Sequence, residues 1–456
     1  MVVAKPVSSK FSAPNSAHTD MTSDRRNFLK QSSAFAVSAG LIGASSSALA
    51  ASSRARNGKD DEIRVALVGC GGRGSGAAWQ ALSTEGKVRL VAVADAFADR
   101  LGDTLERLQK GKPDQVDVPE ERRFTGFDAY QKAIDCDVDL VILATPPGFR
   151  PIHFEYAVQK GKHVFMEKPV AVDGPGIRKV LAAAEVAKQK NLKVGVGLQR
   201  HHSAKYNEVI RRIREGQIGD LRLLRCYWNS GGVWVRPRKQ EQTEMEYQMR
   251  NWYYFNWLCG DHITEQHIHN LDVCNWLVDD FPAQAQGQGG RLVRTGIDHG
   301  EIFDHHMVEF TYASGLKMLS QCRHMPGAWT QVNEYALGTE GSSHIGAGKI
   351  QRNGEEKAWR YRDEDPDHYQ VEHNQLFAAI RADLPYNEAE YGAKSTLTSI
   401  LGRMATYSGQ VVTWEQALNS ELALVPDRYA WDGTPPSTPD ENGRYPIPMP
   451  GAMPAF

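Results

Sequence analysis

The chain has 456 residues, of which 41% are hydrophobic and 24% are charged, and its net charge is −2 at pH 7. This composition is typical of a soluble globular protein, and the length is sufficient for two domains. A charge so close to zero argues against nucleic acid or an anionic membrane as a partner. The six cysteines are scattered along the chain. They have neither the spacing of metal ligands nor the density of a disulfide framework.

Residues 1–50 have the features of a twin-arginine export signal. The arginine pair at 25–26 precedes Phe-Leu-Lys, a mildly apolar stretch follows, and Ala-Leu-Ala at 48–50 supplies a small-x-small cleavage site. The alternative is a disordered tail with a chance arginine pair. We expect an exported protein, periplasmic or at the cell surface, whose mature chain begins with a polar leader at 51–61. The apolar stretch is too short and too polar to anchor in a bilayer, so no membrane insertion is expected.

A glycine motif, Gly69-x-Gly71-x-x-Gly74, lies between an apolar strand at 65–68 and a helical segment. In that context the glycines allow a sharp turn and let a pyrophosphate approach the backbone at a helix N-terminus. A second apolar strand ends at Asp95, 21 residues after Gly74, where an acid can bind the adenosine ribose. A glycine-rich loop without a ligand is the alternative. The residues predicted here to bind a dinucleotide are Gly69, Gly71, Gly72, Arg73, Gly74 and Asp95.

Strands and helices continue to alternate up to residue 200. Apolar runs predict four further strands, at 122–124, 138–144, 163–166 and 194–197. Helical spacing predicts helices at 97–108, 128–134, 152–159 and 176–190. Six strands with helical crossovers predict an α/β domain with a doubly wound parallel sheet, spanning residues 62–200.

The pattern changes in residues 201–424, the predicted second domain. A strand at 221–227 is followed by an aromatic loop region and then by a helix at 264–277. Alternating runs predict antiparallel strands at 304–312, 316–322 and 332–337. Two further helices are predicted at 369–382 and 393–406, and we expect the second to pack back on the first domain. The proline-rich residues 425–456 predict an extended arm over the domain or over a partner subunit.

Four motifs together resemble one known family. They occur in the order glycine loop, Ala-Thr-Pro-Pro at 144–147, Glu-Lys-Pro at 167–169, and the segment from Glu265 to Asp272. Over residues 62–415 the chain resembles the Gfo/Idh/MocA family of glucose–fructose oxidoreductases and inositol dehydrogenases. The resemblance implies an N-terminal Rossmann domain and a C-terminal α/β domain with a large, open, mostly antiparallel sheet. It also implies an active site between the domains and a homo-oligomer, a dimer or tetramer, formed through that sheet.

Lys168, Glu265 and His269 are the predicted catalytic residues. Lys168 follows the carboxyl end of a strand, where its ammonium can hydrogen-bond a reacting hydroxyl, and the family lysine contacts nicotinamide and substrate. His269 can accept the hydroxyl proton while hydride leaves the same carbon. Glu265 lies four residues before His269, so the two share one face of the predicted helix. Its carboxylate can hold the imidazole or a substrate hydroxyl, although the family usually has Asp at this position. Two alternatives to a catalytic role for Glu265 and His269 are a helix-surface pair without function and a metal site. Of these the metal site is not expected, and no metal is predicted. That metal site would combine His262, Glu265, His267 and His269.

The loops beside these residues supply further candidates. The remaining residues predicted to bind the cofactor are Arg100, Thr145, Pro146, Glu167 and Lys168. Those predicted to bind substrate are Arg200, Arg250, Trp252, Tyr254 and Asp272. Aromatic faces with polar tips suit sugar rings, and an arginine can bind a hydroxyl or a carboxylate. Core packing of the aromatic residues and a surface salt bridge of Arg200 are the alternatives. Asp272 either orients His269 or faces solvent.

The sequence thus predicts an NAD(P)-dependent oxidoreductase that acts on a secondary alcohol of a sugar, cyclitol or derivative. Asp95 favours NAD because a carboxylate repels a 2′-phosphate, whereas Arg100 leaves NADP open. Because no obvious pool recycles NADH outside the cytoplasm, we expect a tightly bound cofactor. The first alternative is therefore a redox-neutral glycosidase or sugar–sugar oxidoreductase. The second is a non-catalytic sugar-binding sensor, against which Lys168 and His269 argue, since binding alone needs no proton acceptor.

Overall fold

The structure is a computed structural model that describes residues 61–454. The predicted export signal at 1–50 and the leader up to residue 60 lie outside the described residues. Within 61–454, no helix is both long and apolar enough to cross a bilayer.

Six parallel strands form the first sheet, in the order β3-β2-β1-β4-β5-β6. The strands are β1 (Ile63–Val68), β2 (Val88–Asp95), β3 (Arg123–Thr125), β4 (Leu140–Leu143), β5 (His163–Met166) and β6 (Val194–Val196). The helices between them are α1 (Gly72–Ala81), α2 (Ala98–Gly111), α3 (Ala129–Asp135), α4 (Arg150–Gln159) and α5 (Gly174–Gln189). The predicted doubly wound parallel sheet is confirmed. Its strand order reverses between β1 and β4, and ligands bind in the crevice at such a point.

Nine strands form the second sheet, in the order β14-β13-β12-β11-β7-β10-β9-β8-β15. They are β7 (Leu221–Ser230), β8 (Pro282–Gly290), β9 (His305–Tyr312), β10 (Lys317–His324), β11 (Gln331–Gly338), β12 (Gly341–His344), β13 (Lys349–Arg352), β14 (Trp359–Arg360) and β15 (Val412–Thr413). The sheet is antiparallel except that β7 and β10 pair in parallel, which confirms the mostly antiparallel sheet that the family resemblance implied.

Eight further helices belong to the second half of the described chain. They are α6 (Ala204–Arg214), α7 (Glu244–Arg250), α8 (Asn256–Cys259), α9 (His262–Glu265), α10 (Ile268–Val278), α11 (His368–Arg381), α12 (Ala389–Ser408) and α13 (Trp414–Asn419). Helices α10 and α12 cover one face of the nine-stranded sheet. Side chains of β10 are alternately buried and half-buried, because only that face is covered by helices.

The strand β8 was not predicted from the sequence. It is built from Gln, Gly and Ala, which lack the apolar alternation that identifies a half-buried strand. A Cβ atom added at Gly287 would lie 3.0 Å from the side chain of Thr406 in α12, and one at Gly289 would lie 3.2 Å from the same side chain. The glycines therefore allow α12 to pack closely on this strand.

The helix predicted at 264–277 is interrupted in the structure. The backbone N–H groups of Gln266 and His267 both donate to the carbonyl of His262, which ends α9 before α10 begins. Glu265 and His269 consequently belong to two helices, and the prediction that they share one continuous helix face is wrong.

Helix α11 completes the core of the first sheet although it begins 172 residues after β6 ends. Its Leu376 and Phe377 are fully buried in one apolar cluster with Leu67 and Phe165 of the first sheet. Helix α12 packs against α5, and the N–H of Val170 donates to the Thr396 hydroxyl. The second half of the chain thus provides part of the interior of the first.

The C-terminal tail, residues 420–454, contains no helix or strand, as its prolines predict. It lies over its own chain. The N–H of Leu424 donates to the Asp173 carboxylate over 2.8 Å, and Gln248 donates to the carbonyl of Ser437 over 2.7 Å. The tail therefore contacts both halves of the molecule.

Candidate active site

A cleft of about 550 Å³ lies between the two sheets and begins at the glycine loop. Gly69 has a φ of +99°, and a Cβ atom added to it would lie 2.5 Å from the carbonyl carbon of Ala144. A Cβ atom at Gly74 would lie 1.9 Å from the oxygen of Gly69. These contacts require glycine at both positions, so that the turn can pack against the end of β4.

Gly71 and Gly72 face open space, since added Cβ atoms would meet nothing within 4 Å. Both residues line the cleft, and the N-terminus of α1 has no side-chain cap. Its first N–H groups are thus available to an anion, with the positive end of the helix dipole behind them. The loop fits the pyrophosphate of a dinucleotide.

Asp95 lies at the end of β2 and lines the same cleft. Its carboxylate accepts hydrogen bonds from the N–H of Cys70 over 2.6 Å and from the N–H of Phe97 over 2.9 Å. These two bonds hold the carboxylate in place while leaving lone pairs for the hydroxyls of a ribose.

We expect the protein to bind NAD in preference to NADP, and the Asp95→Ala change to weaken NAD binding by about 10- to 100-fold, the scale of hydrogen bonds to a charged group. The Asp95→Asn change should relieve the repulsion of a 2′-phosphate while keeping one acceptor oxygen. Titration of each protein with NAD and NADP measures both effects. Equal affinity of the unmutated protein for the two cofactors contradicts this role of Asp95.

Lys168 extends from the end of β5 towards the second half of the chain. Its ammonium donates to the backbone carbonyl of Glu265 over 2.7 Å and lies 3.3 Å from the carboxylate of the same residue. Burial raises the pKa of the Glu265 carboxyl, and the Lys168 ammonium opposes that rise. Glu265 thus holds Lys168, not His269 as one sequence-based interpretation had it.

His269 lies in the first turn of α10 and lines the cleft together with Lys168 and Glu265. Its ring stacks beside that of Trp228, with 6.1 Å between the centroids. Burial, together with the nearby cations of Lys168 and Arg200, lowers the pKa of His269 well below its usual range. The imidazole is therefore neutral at neutral pH and can accept a proton.

The other predicted cofactor-binding residues all line the cleft. They are Arg73, Arg100, Thr145, Pro146 and Glu167. The guanidinium of Arg73 is held by Glu167, by Gln80 over 2.8 Å and by Glu372 over 3.4 Å. Arg73 thereby ties the glycine loop to the Glu-Lys-Pro turn.

The predicted substrate-binding residues divide into two groups. Arg250 and Trp252 line the cleft, but Arg250 is bound to Asp99 over 2.6 Å. That contact places it at the α2 end of the cleft, near Asp95, and not beside His269.

The other three are bound elsewhere and do not line the cleft, which corrects the sequence-based assignment. Arg200 is ion-paired with Glu334. Asp272 accepts from His201 over 2.8 Å and from Ser395 over 2.6 Å, so it does not orient His269. The hydroxyl of Tyr254 donates to the carbonyl of Trp234 over 3.0 Å.

Sequence reasoning missed Arg150, in the first turn of α4. It lines the cleft, and its guanidinium donates to the carbonyl of Thr145 over 2.6 Å. Burial lowers its pKa to about 10, against the opposing effect of Glu167 and Glu265. No local signal identifies it, since an arginine early in a helix is usually solvated.

The four residues of the alternative metal site, His262, Glu265, His267 and His269, do not form a group of metal-ligand atoms among the described residues. The Glu265 carboxylate lies 3.3 Å from the Lys168 ammonium, and His267 is bound to Ser320 over 2.7 Å. Among residues 61–454, the one group with donor atoms within 4.8 Å of one another is Asp261, His262 and His306. Asp261 there accepts hydrogen bonds from the ring of His262 over 2.7 Å and from the N–H of Phe303 over 3.0 Å.

The fold and the cleft define a two-domain dinucleotide-binding protein. Residues 63–198 match the family model described as an oxidoreductase family with an NAD-binding Rossmann fold, and residues 206–344 match the GFO/IDH/MocA C-terminal domain. Together the matches span more than half of the chain. The protein belongs to the Gfo/Idh/MocA family.

Curated relatives include inositol 2-dehydrogenases. The one from Burkholderia cenocepacia (strain HI2424) is 27% identical over 259 residues, which are 56% of this chain and 66% of the relative. The one from Pseudomonas syringae pv. syringae (strain B728a) is 33% identical over 147 residues, 32% of this chain and 36% of the relative. The chain thus matches just under two thirds of the length of the Burkholderia enzyme.

Solved structures share the fold. The aldose–aldose oxidoreductase from Caulobacter crescentus superposes with a TM-score of 0.61 at 17% identity, covering 77% of this chain and 100% of the other. A scyllo-inositol dehydrogenase from Lactobacillus casei, with bound NAD(H) and scyllo-inositol, gives 0.59 at 19% identity, covering 78% and 99%. At these identities the likeness concerns the fold alone.

Proposed function

We propose that the protein is an NAD-dependent oxidoreductase that transfers hydride between nicotinamide and a secondary alcohol carbon of a sugar, cyclitol or related polyol. The observation that carries this proposal is that Lys168, Glu265 and His269 line the cleft that begins at the glycine loop. The relatives named inositol 2-dehydrogenase support the substrate class.

The residues have distinct roles in this reaction. NAD, when bound, supplies the hydride acceptor. His269, neutral because its pKa is lowered by burial, takes the hydroxyl proton at an imidazole nitrogen. The Lys168 ammonium stabilises the negative charge that develops on the same oxygen. Glu265 positions Lys168 through its carbonyl and its carboxylate.

Aromatic side chains support a carbohydrate or polyol as the substrate. Trp228, Trp234 and Trp252 line the cleft. Their faces can pack against the C–H groups of a sugar ring, while Lys168 and His269 contact a hydroxyl. A cleft that combines broad apolar walls with a few polar groups is typical of a small-molecule site.

A substrate panel tests the proposal. Purified protein with NAD is incubated with inositols, aldoses and sugar alcohols, and NADH formation is followed by its near-ultraviolet absorbance. Glycosides and aldose pairs are tested in parallel without added NAD, with product analysis by mass spectrometry. Oxidation of a polyol or aldose supports the dehydrogenase. Conversion of a glycoside or an aldose pair with no net formation of NADH supports the redox-neutral alternative. Sugar binding with no reaction in either arm supports the sensor.

We further propose that the protein is exported by the twin-arginine route to the periplasm or cell surface, on the strength of the sequence pattern in residues 1–50. Replacing Arg25 and Arg26 by lysine is expected to leave the precursor in the cytoplasm, because the export machinery reads the arginine pair. Cell fractionation with N-terminal sequencing measures the outcome, with a mature N-terminus expected near Ala51. Export of the double mutant at the normal level contradicts this proposal.

A homo-oligomer, a dimer or tetramer, is also proposed. The face of the nine-stranded sheet that the helices leave uncovered exposes Met307 and Leu337. Apolar side chains in a continuous sheet face are typical of an interface between subunits. Analytical ultracentrifugation of the purified protein measures its mass in solution. A mass of two or four chains is expected, and the mass of one chain contradicts the proposal.

A further inference from the structure

The loop between β2 and α2 contributes a ring to the cleft. Phe97 follows Asp95 by two residues and lines the same cleft. Its backbone N–H donates to the Asp95 carboxylate over 2.9 Å. The backbone of Phe97 is therefore bonded to the carboxylate that is expected to bind the ribose.

Two distant segments of the chain hold the ring of Phe97. The guanidinium of Arg250, at the end of α7, lies 3.7 Å from the centre of the ring and is bound to Asp99 in the first turn of α2. The ring of Trp431, in the C-terminal tail, lies 5.2 Å from that of Phe97 and 4.7 Å from that of Phe127. Phe127 lines the cleft as well, whereas Trp431 supports both rings from outside it.

The tail is fastened close to Trp431. The ring of Tyr429 packs against that of Phe149 with 5.2 Å between the centroids, and its hydroxyl donates to the carbonyl of Gly148 over 3.4 Å. Further along, the carbonyl of Ser437 accepts from Gln248 over 2.7 Å. Trp431 thus lies between two attached points, one on each half of the molecule.

We propose that the C-terminal tail retains the cofactor: Trp431, by supporting Phe97 and Phe127, closes the adenosine side of the dinucleotide site and makes bound NAD slow to leave. This inference rests on the proposed function, since it requires that the cleft binds a dinucleotide. For the adenosine end to leave, the wall formed by Phe97 and Phe127 must move. That movement separates Phe97 from Arg250 and Trp431, so these contacts slow the release of the dinucleotide.

The test measures the release of NADH. Protein loaded with NADH is mixed with a large excess of NAD, and the loss of bound NADH fluorescence, excited directly, gives the dissociation rate. Trp431→Ala removes two ring contacts and should release NADH about tenfold faster. Trp431→Phe should fall between it and the unmutated protein. Met449→Ala, an exposed position of the same tail away from the cleft, serves as the control and should not change the rate.

Equal NADH release from Trp431→Ala and the unmutated protein, with both folded by circular dichroism, overturns the inference and leaves the proposed function intact. Equal acceleration by Met449→Ala also overturns it, because the effect then belongs to the tail in general. Failure of the unmutated protein to bind NADH removes the proposed function and this inference together.

Discussion

Replacing His269 by asparagine is expected to lower turnover by about 10²- to 10⁴-fold, the usual scale for loss of a general base. Hydride leaves a carbon only as its hydroxyl loses a proton, and His269 is the neutral imidazole in the cleft beside Lys168. Asparagine keeps a polar side chain of similar reach but cannot accept that proton. Steady-state rates on a substrate identified by the panel measure the effect, while NAD affinity should change little because the glycine loop is untouched.

The pH dependence gives an independent check on His269. Because burial lowers its pKa well below the usual range, the imidazole stays unprotonated as the pH falls through 6.5. Turnover of the unmutated protein should therefore persist below that pH and decline only in more acidic solution. His305→Asn, at a half-exposed histidine outside the cleft, is the matched control and should keep near-normal rates. Near-full turnover in His269→Asn removes His269 from the mechanism.

Replacing Lys168 by methionine should lower turnover by about 10²-fold or more, as expected when a donor to a developing oxyanion is removed. Methionine preserves most of the side-chain volume, so the loss reports on the ammonium. The same change removes the contact between Lys168 and the Glu265 carbonyl, which joins the two halves of the cleft. We therefore expect the Michaelis constant of the substrate to rise as well.

Glu265→Gln is the comparison for Lys168→Met. The backbone carbonyl of Glu265 makes the shorter contact with Lys168, 2.7 Å against 3.3 Å for the carboxylate, and the substitution leaves that carbonyl in place. We expect a smaller loss of turnover than in Lys168→Met, measured under the same conditions. A larger loss in Glu265→Gln contradicts a purely positioning role and assigns the carboxylate a direct part in proton transfer.

The first domain could be predicted closely because its signals are local. Strands such as β1 and β4 are apolar runs buried on both faces. Gly69 has a positive φ in its turn, and Gly74 packs on the oxygen of Gly69 in the same turn. Lys168 could be placed in the cleft for the same reason, since it lies two residues after the end of β5.

The residues that prediction misplaced depend on distant partners. Arg200 pairs with Glu334, 134 residues away, and Asp272 with His201, 71 residues away. No sequence pattern reveals these pairs, so charged residues near a predicted cleft were assigned to substrate. The break between α9 and α10 was hidden for a related reason, because the intervening residues suit a helix and only the backbone bonds to His262 end it.

The burial of Leu376 and Phe377 in the core of the first sheet affects how such chains can recombine. A gene fragment that ends near residue 200 encodes all six strands but not α11, whose side chains fill the interior between β1 and β5. Exchange of the nucleotide-binding half between two relatives therefore joins a core to a helix that did not evolve with it. Gly195 contacts Leu376, since an added Cβ would lie 3.1 Å from it; this pair should vary together among homologues and mark the segments that are inherited as one unit.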